Sequence, residues 1–153
     1  MKKKVGVFSF TCCEGCVISF IESLNKKFFD WKKKMDIENF RALKKVKPIK
    51  KLDIALVEGA ISTASELRKL KEIRKKSKIL VALGSGAANG YPSNQRNNFN
   101  SAMKKKIGSE IKRIGQLKKI MPLNEYVKVD VEIDGCPVDE KLLIKEMEKL
   151  LNA

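Results

Sequence analysis

The chain has 153 residues, 43% of them hydrophobic and 33% charged, with a formal net charge of +15. That length can bury a sizeable core and is most simply one domain over residues 1–153; the composition excludes a disordered or low-complexity chain. There is no histidine, so the commonest general base is missing, and any metal must be held by thiolates, carboxylates, amides or hydroxyls.

Lys2-Lys3-Lys4 ahead of Val5–Phe10 imitates the start of a signal peptide, but the apolar run is short and no small-residue cleavage site follows. No run approaches the roughly 20 apolar residues of a membrane-spanning helix. The expectation is a cytoplasmic chain, mature from Met1. Val5–Phe10 reads as a buried strand. The loop Thr11-Cys12-Cys13-Glu14-Gly15-Cys16 follows, holding three of the four cysteines. Val17, Ile18, Phe20, Ile21, Leu24, Phe28 and Trp31 then recur at helical spacing, predicting a helix over about residues 16–34.

Residues 35–47, with Met35, Ile37, Phe40, Leu43 and Val46, are too irregular to assign. Leu52–Val57 is a second strand, Glu58-Gly59-Ala60-Ile61 its loop, and Ser62 or Thr63 a cap for a helix reaching about Lys76. Lys78–Leu83 is a third strand, apolar enough to be buried on both faces, as in a parallel sheet. Gly84–Pro92 is a loop of small residues that lets backbone approach a ligand or partner. Residues 93–106 are expected to be an amide-rich helix and residues 107–124 a basic connector. Tyr126–Ile133 alternates apolar and charged residues, predicting a half-exposed strand near a sheet edge. Gly135-Cys136-Pro137 is its loop, and Asp139–Leu151 a final amphipathic helix.

Strand, loop and helix repeat, so the expected fold is an α/β sandwich with a mainly parallel sheet and helices on both faces. Right-handed crossovers would bring the loops that follow the strands to one sheet edge. The cysteine loop, Glu58-Gly59, Gly84–Gly90 and Gly135-Cys136-Pro137 should therefore meet in space.

The lysines are spread along the chain at helical spacing, as on solvated faces. They attract acidic partners in general, but neither interleaved aromatics nor a recognised module points to nucleic acid. Reduced cytoplasmic thiols favour metal binding or redox work over a disulfide. A Cys-x-x-Cys entering a helix can aim two sulfurs at one centre while the helix amino end stabilises thiolate charge. Four cysteines fit zinc or an iron–sulfur cluster. Zinc ribbons usually need a second close pair, which Cys136 alone does not supply. A thioredoxin-type redox pair would leave Cys12 surplus. The bland alternative is a set of inert buried cysteines, and Cys12 taken alone reads as a packing residue or outer neighbour.

Four ordered stretches span nearly the whole chain: Cys13-Glu14-Gly15-Cys16; Val57-Glu58-Gly59-Ala60-Ile61; Ala82–Ala87 with Gly90–Asn97; and Val129–Pro137. In them the chain resembles the small subunit of nickel–iron hydrogenases and the related 20 kDa subunit of NADH:ubiquinone oxidoreductase, most of all the short sulfhydrogenase and coenzyme-F420-linked forms. The resemblance implies a flavodoxin-like domain carrying the proximal iron–sulfur cluster, 4Fe-4S or 3Fe-4S. It would be an electron-transfer subunit, not catalytic alone, beside a NiFe large subunit and with further electron-transfer subunits or ferredoxin as possible partners. Carried over, the ligands are Cys13, Cys16, Cys136 and the position of Gly86, with Glu58 near the cluster and the large-subunit interface. Glu58 could equally be a helix cap or hydrogen-bond partner; Arg96 is an anchor for its own loop or for the interface, or else a solvated helix residue. Glycine cannot ligate iron. Either Cys12 completes the shell, or Ser85, Glu14, Glu58 or water does, or a three-iron cluster forms, or the site is lost and the chain is a scaffold or regulatory subunit.

Overall fold

Apolar runs that follow one another at intervals of a crossover helix can bury both faces only by lying parallel. The computed structural model describes residues 1–45 and 47–153. Along the chain come β1 (Lys3–Ser9), α1 (Gly15–Lys26), α2 (Phe28–Lys34), β2 (Met35–Phe40), β3 (Leu52–Glu58), β4 (Ile61–Thr63) and α3 (Ala64–Lys76). Then follow β5 (Ser77–Leu83), α4 (Ser85–Ala88), a 3₁₀ turn (Ser93–Asn98), α5 (Ser101–Arg113), β6 (Gln116–Met121), β7 (Val131–Ile133) and α6 (Glu140–Asn152). The main sheet has the order β2-β1-β3-β5-β7, every neighbouring pair parallel. Counted within the sheet this is 2-1-3-4-5, the flavodoxin-like doubly wound order. β4 and β6 form a separate antiparallel pair.

Period-two alternation splits the strand side chains between two cores. On one face Val5, Val7, Ile54, Leu56, Val81 and Leu83 meet Val17 and Phe20 of α1, Trp31 of α2, and Leu143 and Met147 of α6. On the other, Ala55, Val57, Leu80 and Ala82 meet Leu70 and Ile73 of α3, with Ala87 and Leu123. Each such leucine, isoleucine or phenylalanine contributes about 1.5–3 kcal/mol on burial. Helices therefore cover both faces. Among the described residues no helix is long and apolar enough to cross a membrane.

Several elements depart from what local pattern predicts. The helix expected over residues 16–34 breaks at Lys27, whose N–H turns back to Ser23 O at 3.0 Å. Trp31 thereby turns inward and stacks on Phe20, ring centroids 6.1 Å apart, while Ile18 and Phe28 of the expected apolar stripe stay exposed. β2 forms over the irregular stretch; Val46 lies outside the described residues. The small-residue loop contains the short α4. The helix expected at 93–106 is instead a 3₁₀ turn and α5, divided where the Asn100 side chain accepts from Met103 N–H and caps the new helix. That helix and β6 occupy most of the expected basic connector. Only Val131–Ile133 of the predicted strand pairs, as the edge β7; Tyr126, Val127 and Val129 pack instead against the α3-side core. Asp130 N–H donates to Leu80 O at 2.9 Å, while Leu80 N–H donates to the Asp130 carboxylate at 2.9 Å instead of to a backbone carbonyl.

Candidate functional site

Parallel register aligns the carboxyl ends of four strands. Ser9 pairs with Glu58, Glu58 with Leu83, and Leu83 with Ile133. The loops leaving this row enclose a cavity of about 580 Å³ whose lining includes Cys12, Cys13, Cys16, Glu58, Gly59, Ser85, Gly86, Gly135 and Cys136. All four loops picked out in the sequence thus meet, and the four cysteines of the chain face one space.

The enclosing loops are fixed by backbone bonds. Thr11 and Ala60 exchange N–H···O bonds of 3.2 and 3.1 Å, pinning the cysteine loop to the turn after β3. Gly84 N–H donates to Ile133 O and Ser85 N–H to Gly135 O, both at 2.8 Å, joining the α4 loop to the Cys136 loop. Gly84 has φ +84°, and a Cβ there would lie 2.4 Å from Cys16 Sγ, so only glycine leaves room for that sulfur. At Gly86 a Cβ would stand 3.2 Å from Gly59 Cα. Gly86 carries no donor to the cavity; backbone fills the space its side chain would take.

Glu58 is 3% exposed. Its carboxylate accepts Cys16 N–H at 3.2 Å and Val17 N–H at 3.0 Å, so it caps α1, in which no N-cap side chain does so. It also borders the cavity, so the hydrogen-bond role and the position near the site coexist. Burial pushes its pKa up, against the two N–H bonds that pull it down; Glu14 adds to the rise.

The other candidate donors are already engaged. Glu14 does not line the cavity and pairs with Arg41. Ser85 Oγ donates to Asp134 Oδ1 at 2.6 Å. Cys12 Sγ has only a long contact to Phe10 O, 3.4 Å. Arg96 lies outside, where its Nη2 donates to Leu117 O at 2.6 Å and ties the 3₁₀ turn to β6.

Burial pushes the Cys12 thiol up to about 12 and the Cys16 thiol up to about 11, with the Glu58 charge acting in the same direction. Among the described residues no three His, Cys, Asp or Glu side chains converge on a point as a single ion requires. The thiols are distributed around the cavity instead. Four thiols on one cavity are the donor type that an iron–sulfur cluster takes, with Glu58 and Ser85 also on the wall.

Two side chains outside the cysteine motifs hold these loops in place. Glu66 accepts Ser62 N–H, Thr63 N–H and the Thr11 hydroxyl, tying the cysteine loop to the start of α3. The Thr63-x-x-Glu66 capping box carries the local half of that signal. Asp134 accepts from Ser85 and from its own loop at Gly135 N–H, a contact no local pattern announces.

A family model described as the NADH ubiquinone oxidoreductase 20 kDa subunit matches residues 13–150. Sulfhydrogenase 2 subunit delta of Pyrococcus furiosus is 33% identical over 90% of this chain and 57% of its own length. Coenzyme F420 hydrogenase subunit gamma of Methanosarcina barkeri is 32% identical over 93% of this chain and 51% of its own. The chain thus spans little more than half of these relatives. The NAD-reducing hydrogenase HoxS subunit delta of Cupriavidus necator is 28% identical over 99% of this chain and 79% of its own. A chain in the crystal structure of an NAD⁺-reducing NiFe-hydrogenase superposes with a TM-score of 0.85 at 26% identity, covering 99% of this chain and 92% of that one.

Proposed function

Since the chain belongs to the NADH ubiquinone oxidoreductase 20 kDa subunit family, we propose that it is the small, electron-transfer subunit of a NiFe-hydrogenase-type complex, folded as one iron–sulfur domain and working in the cytoplasm. The observation that carries this reading is the meeting of Cys12, Cys13, Cys16 and Cys136 on one cavity at the carboxyl edge of the sheet. A cluster held there supplies one-electron transfer. Cys13, Cys16 and Cys136 would ligate it at the positions the family uses. Cys12 would replace the donor that Gly86 lacks, because Ser85, Glu14 and Glu58 already spend their oxygens on Asp134, Arg41 and the start of α1.

The protein residues have separate tasks. Glu58 fixes the first turn of α1 and with it Cys16. Gly84 clears the space for Cys16 sulfur, and Asp134 holds the α4 loop against the Cys136 loop. These loops bury Cys16, while Cys13 and Cys136 stay exposed. The reaction at nickel would belong to a large-subunit partner, with further electron-transfer subunits or ferredoxin carrying electrons onward.

The complex should be purified anaerobically and assayed for iron, acid-labile sulfide and low-temperature EPR. About four irons per chain, lost together with activity in Cys136→Ala, is the expected result. A complex free of iron would sink the cluster role. It would leave the second reading, favoured by Gly86, of a scaffold or regulatory subunit; Cys136→Ala would then leave activity intact.

A further inference from the structure

The amphipathic helix α5 has an apolar stripe that the described residues cover only in part, with Ile107 and Ile111 half-buried and Met103 exposed. Met103, Ile107 and Ile111 recur at four-residue steps, yet no residue of α5 is buried. Between α5 and β6 runs a groove of about 770 Å³, with Ile107, Gly108 and Ile111 along it. Its remaining lining is strongly basic, contributed by Arg96, Lys104, Lys112, Lys118 and Lys119, without a carboxylate.

The charge in the groove is not compensated internally. Among the described residues, lysines such as Lys26, Lys69, Lys76 and Lys149 find carboxylates within 4 Å, and none of the five groove cations does. Arg96 is held by one Nη2 bond to Leu117 O, but its Nε is buried with no partner. Gly108 adds an independent sign. Glycine inside a helix costs about 1 kcal/mol relative to alanine. A Cβ built on Gly108 meets no atom within 4 Å, so no contact within this chain calls for glycine there. A backbone or bulky side chain seated in the groove would.

We propose that the groove between α5 and β6 is a docking site for an acidic amphipathic segment of a partner protein chain. Its apolar side chains would lie on Ile107 and Ile111 over Gly108, and its carboxylates would meet the lysines. A second copy of this chain would oppose +15 with +15. Nucleic acid would find no aromatic side chain in the lining on which to stack. The proposal rests on the preceding reading only in that the chain works within a complex.

The test is zero-length carbodiimide cross-linking of the native complex, which joins lysine amines to carboxylates in contact, followed by peptide sequencing. Lys104, Lys112, Lys118 and Lys119 should join one contiguous acidic stretch of a partner chain. Gly108→Leu should reduce those cross-links at least tenfold while this chain keeps its circular dichroism and thermal midpoint. Lysines that join no partner, or that join a second copy of this chain, would overturn the proposal. So would a groove that Gly108→Leu leaves fully cross-linked, or whose lysines are protected only by duplex DNA or phosphatidylglycerol vesicles. Iron content of the same preparation reports separately on the cluster, so the two readings fail independently.

Discussion

Glu58→Ala is the sharpest perturbation of the link between fold and site. The substitution strands Cys16 N–H and Val17 N–H, which the carboxylate now accepts at 3.2 and 3.0 Å. A buried donor left unpaired costs about 1–3 kcal/mol, so two cost about 2–6. Two effects pull the total toward the lower half. Water can reach the donors from the cavity, and alanine removes the cost of burying a charge. About 2–4 kcal/mol remains, and with a urea m-value of about 2 kcal/mol/M the midpoint should fall by about 1–2 M. Glu58→Gln keeps one acceptor and the shape, and should stay within about 1 kcal/mol of the parent. The pH dependence has a defined sign. Burial raises Glu58's pKa in the folded state, so the native chain binds its proton more readily than the unfolded chain. The parent should lose stability as pH rises from the ordinary carboxylate range through that raised value, and Glu58→Gln should remove this decline. The assay is urea unfolding followed by circular dichroism across pH. Equal, small shifts for alanine and glutamine would refute the capping role.

Asp130→Asn should cost about 1–2 kcal/mol near neutral pH. Burial alone would raise the Asp130 pKa, but the Leu80 N–H and the Arg74 guanidinium outweigh it and hold the carboxyl below its ordinary range. That stability is present above the ordinary carboxylate pKa and lost as pH falls through the lowered value; thermal melts of parent and variant should therefore converge in acid and stay apart at neutral pH. Gly84→Ala forces a Cβ to 2.4 Å from Cys16 Sγ at φ +84°. A loss of about 2 kcal/mol or more lowers the melting midpoint by about 4–8 °C in a chain of this size, and an unchanged midpoint would contradict the close packing of that loop. Cys12→Ala should lower iron in the anaerobic complex from about four to about three per chain and give a three-iron EPR signal. Ser85→Ala should do neither, and full iron in Cys12→Ala would remove Cys12 from the ligand set.

The parallel sheet was legible because β3 and β5 are apolar almost throughout, and burial on both faces leaves few other arrangements. The meeting of the four loops was legible too, since it needs only strand order and right-handed crossovers. What local pattern misread has a common cause. Tyr126–Ile133 alternates like a strand, but its first half alternates between a core and solvent without a neighbouring strand to pair with. The break at Lys27 depends on Trp31 finding Phe20, a contact decided by packing between α1 and α2. α5 reads as connector because its apolar stripe is only partly buried among the described residues. At the site, the cysteines announce themselves by spacing, whereas Asp134 and Glu66 act through contacts across 49 and 55 positions of sequence.

Gly86 and Cys12 belong to one packing arrangement. A Cβ at Gly86 would press on Gly59 Cα at 3.2 Å, and a Cβ at Gly59 would meet Thr11 O at 2.8 Å and Cys12 Cβ at 3.0 Å. Three backbone segments are thus stacked, α4 on the turn after β3 and that turn on the cysteine loop, with glycine at both points of contact. The Thr11–Ala60 bonds and the Thr11 hydroxyl on Glu66 lock the third layer in place. A side chain at 86 would have to wedge the first two layers apart. Leaving it out lets all three close, and the closed stack is what holds Cys12 on the cavity wall.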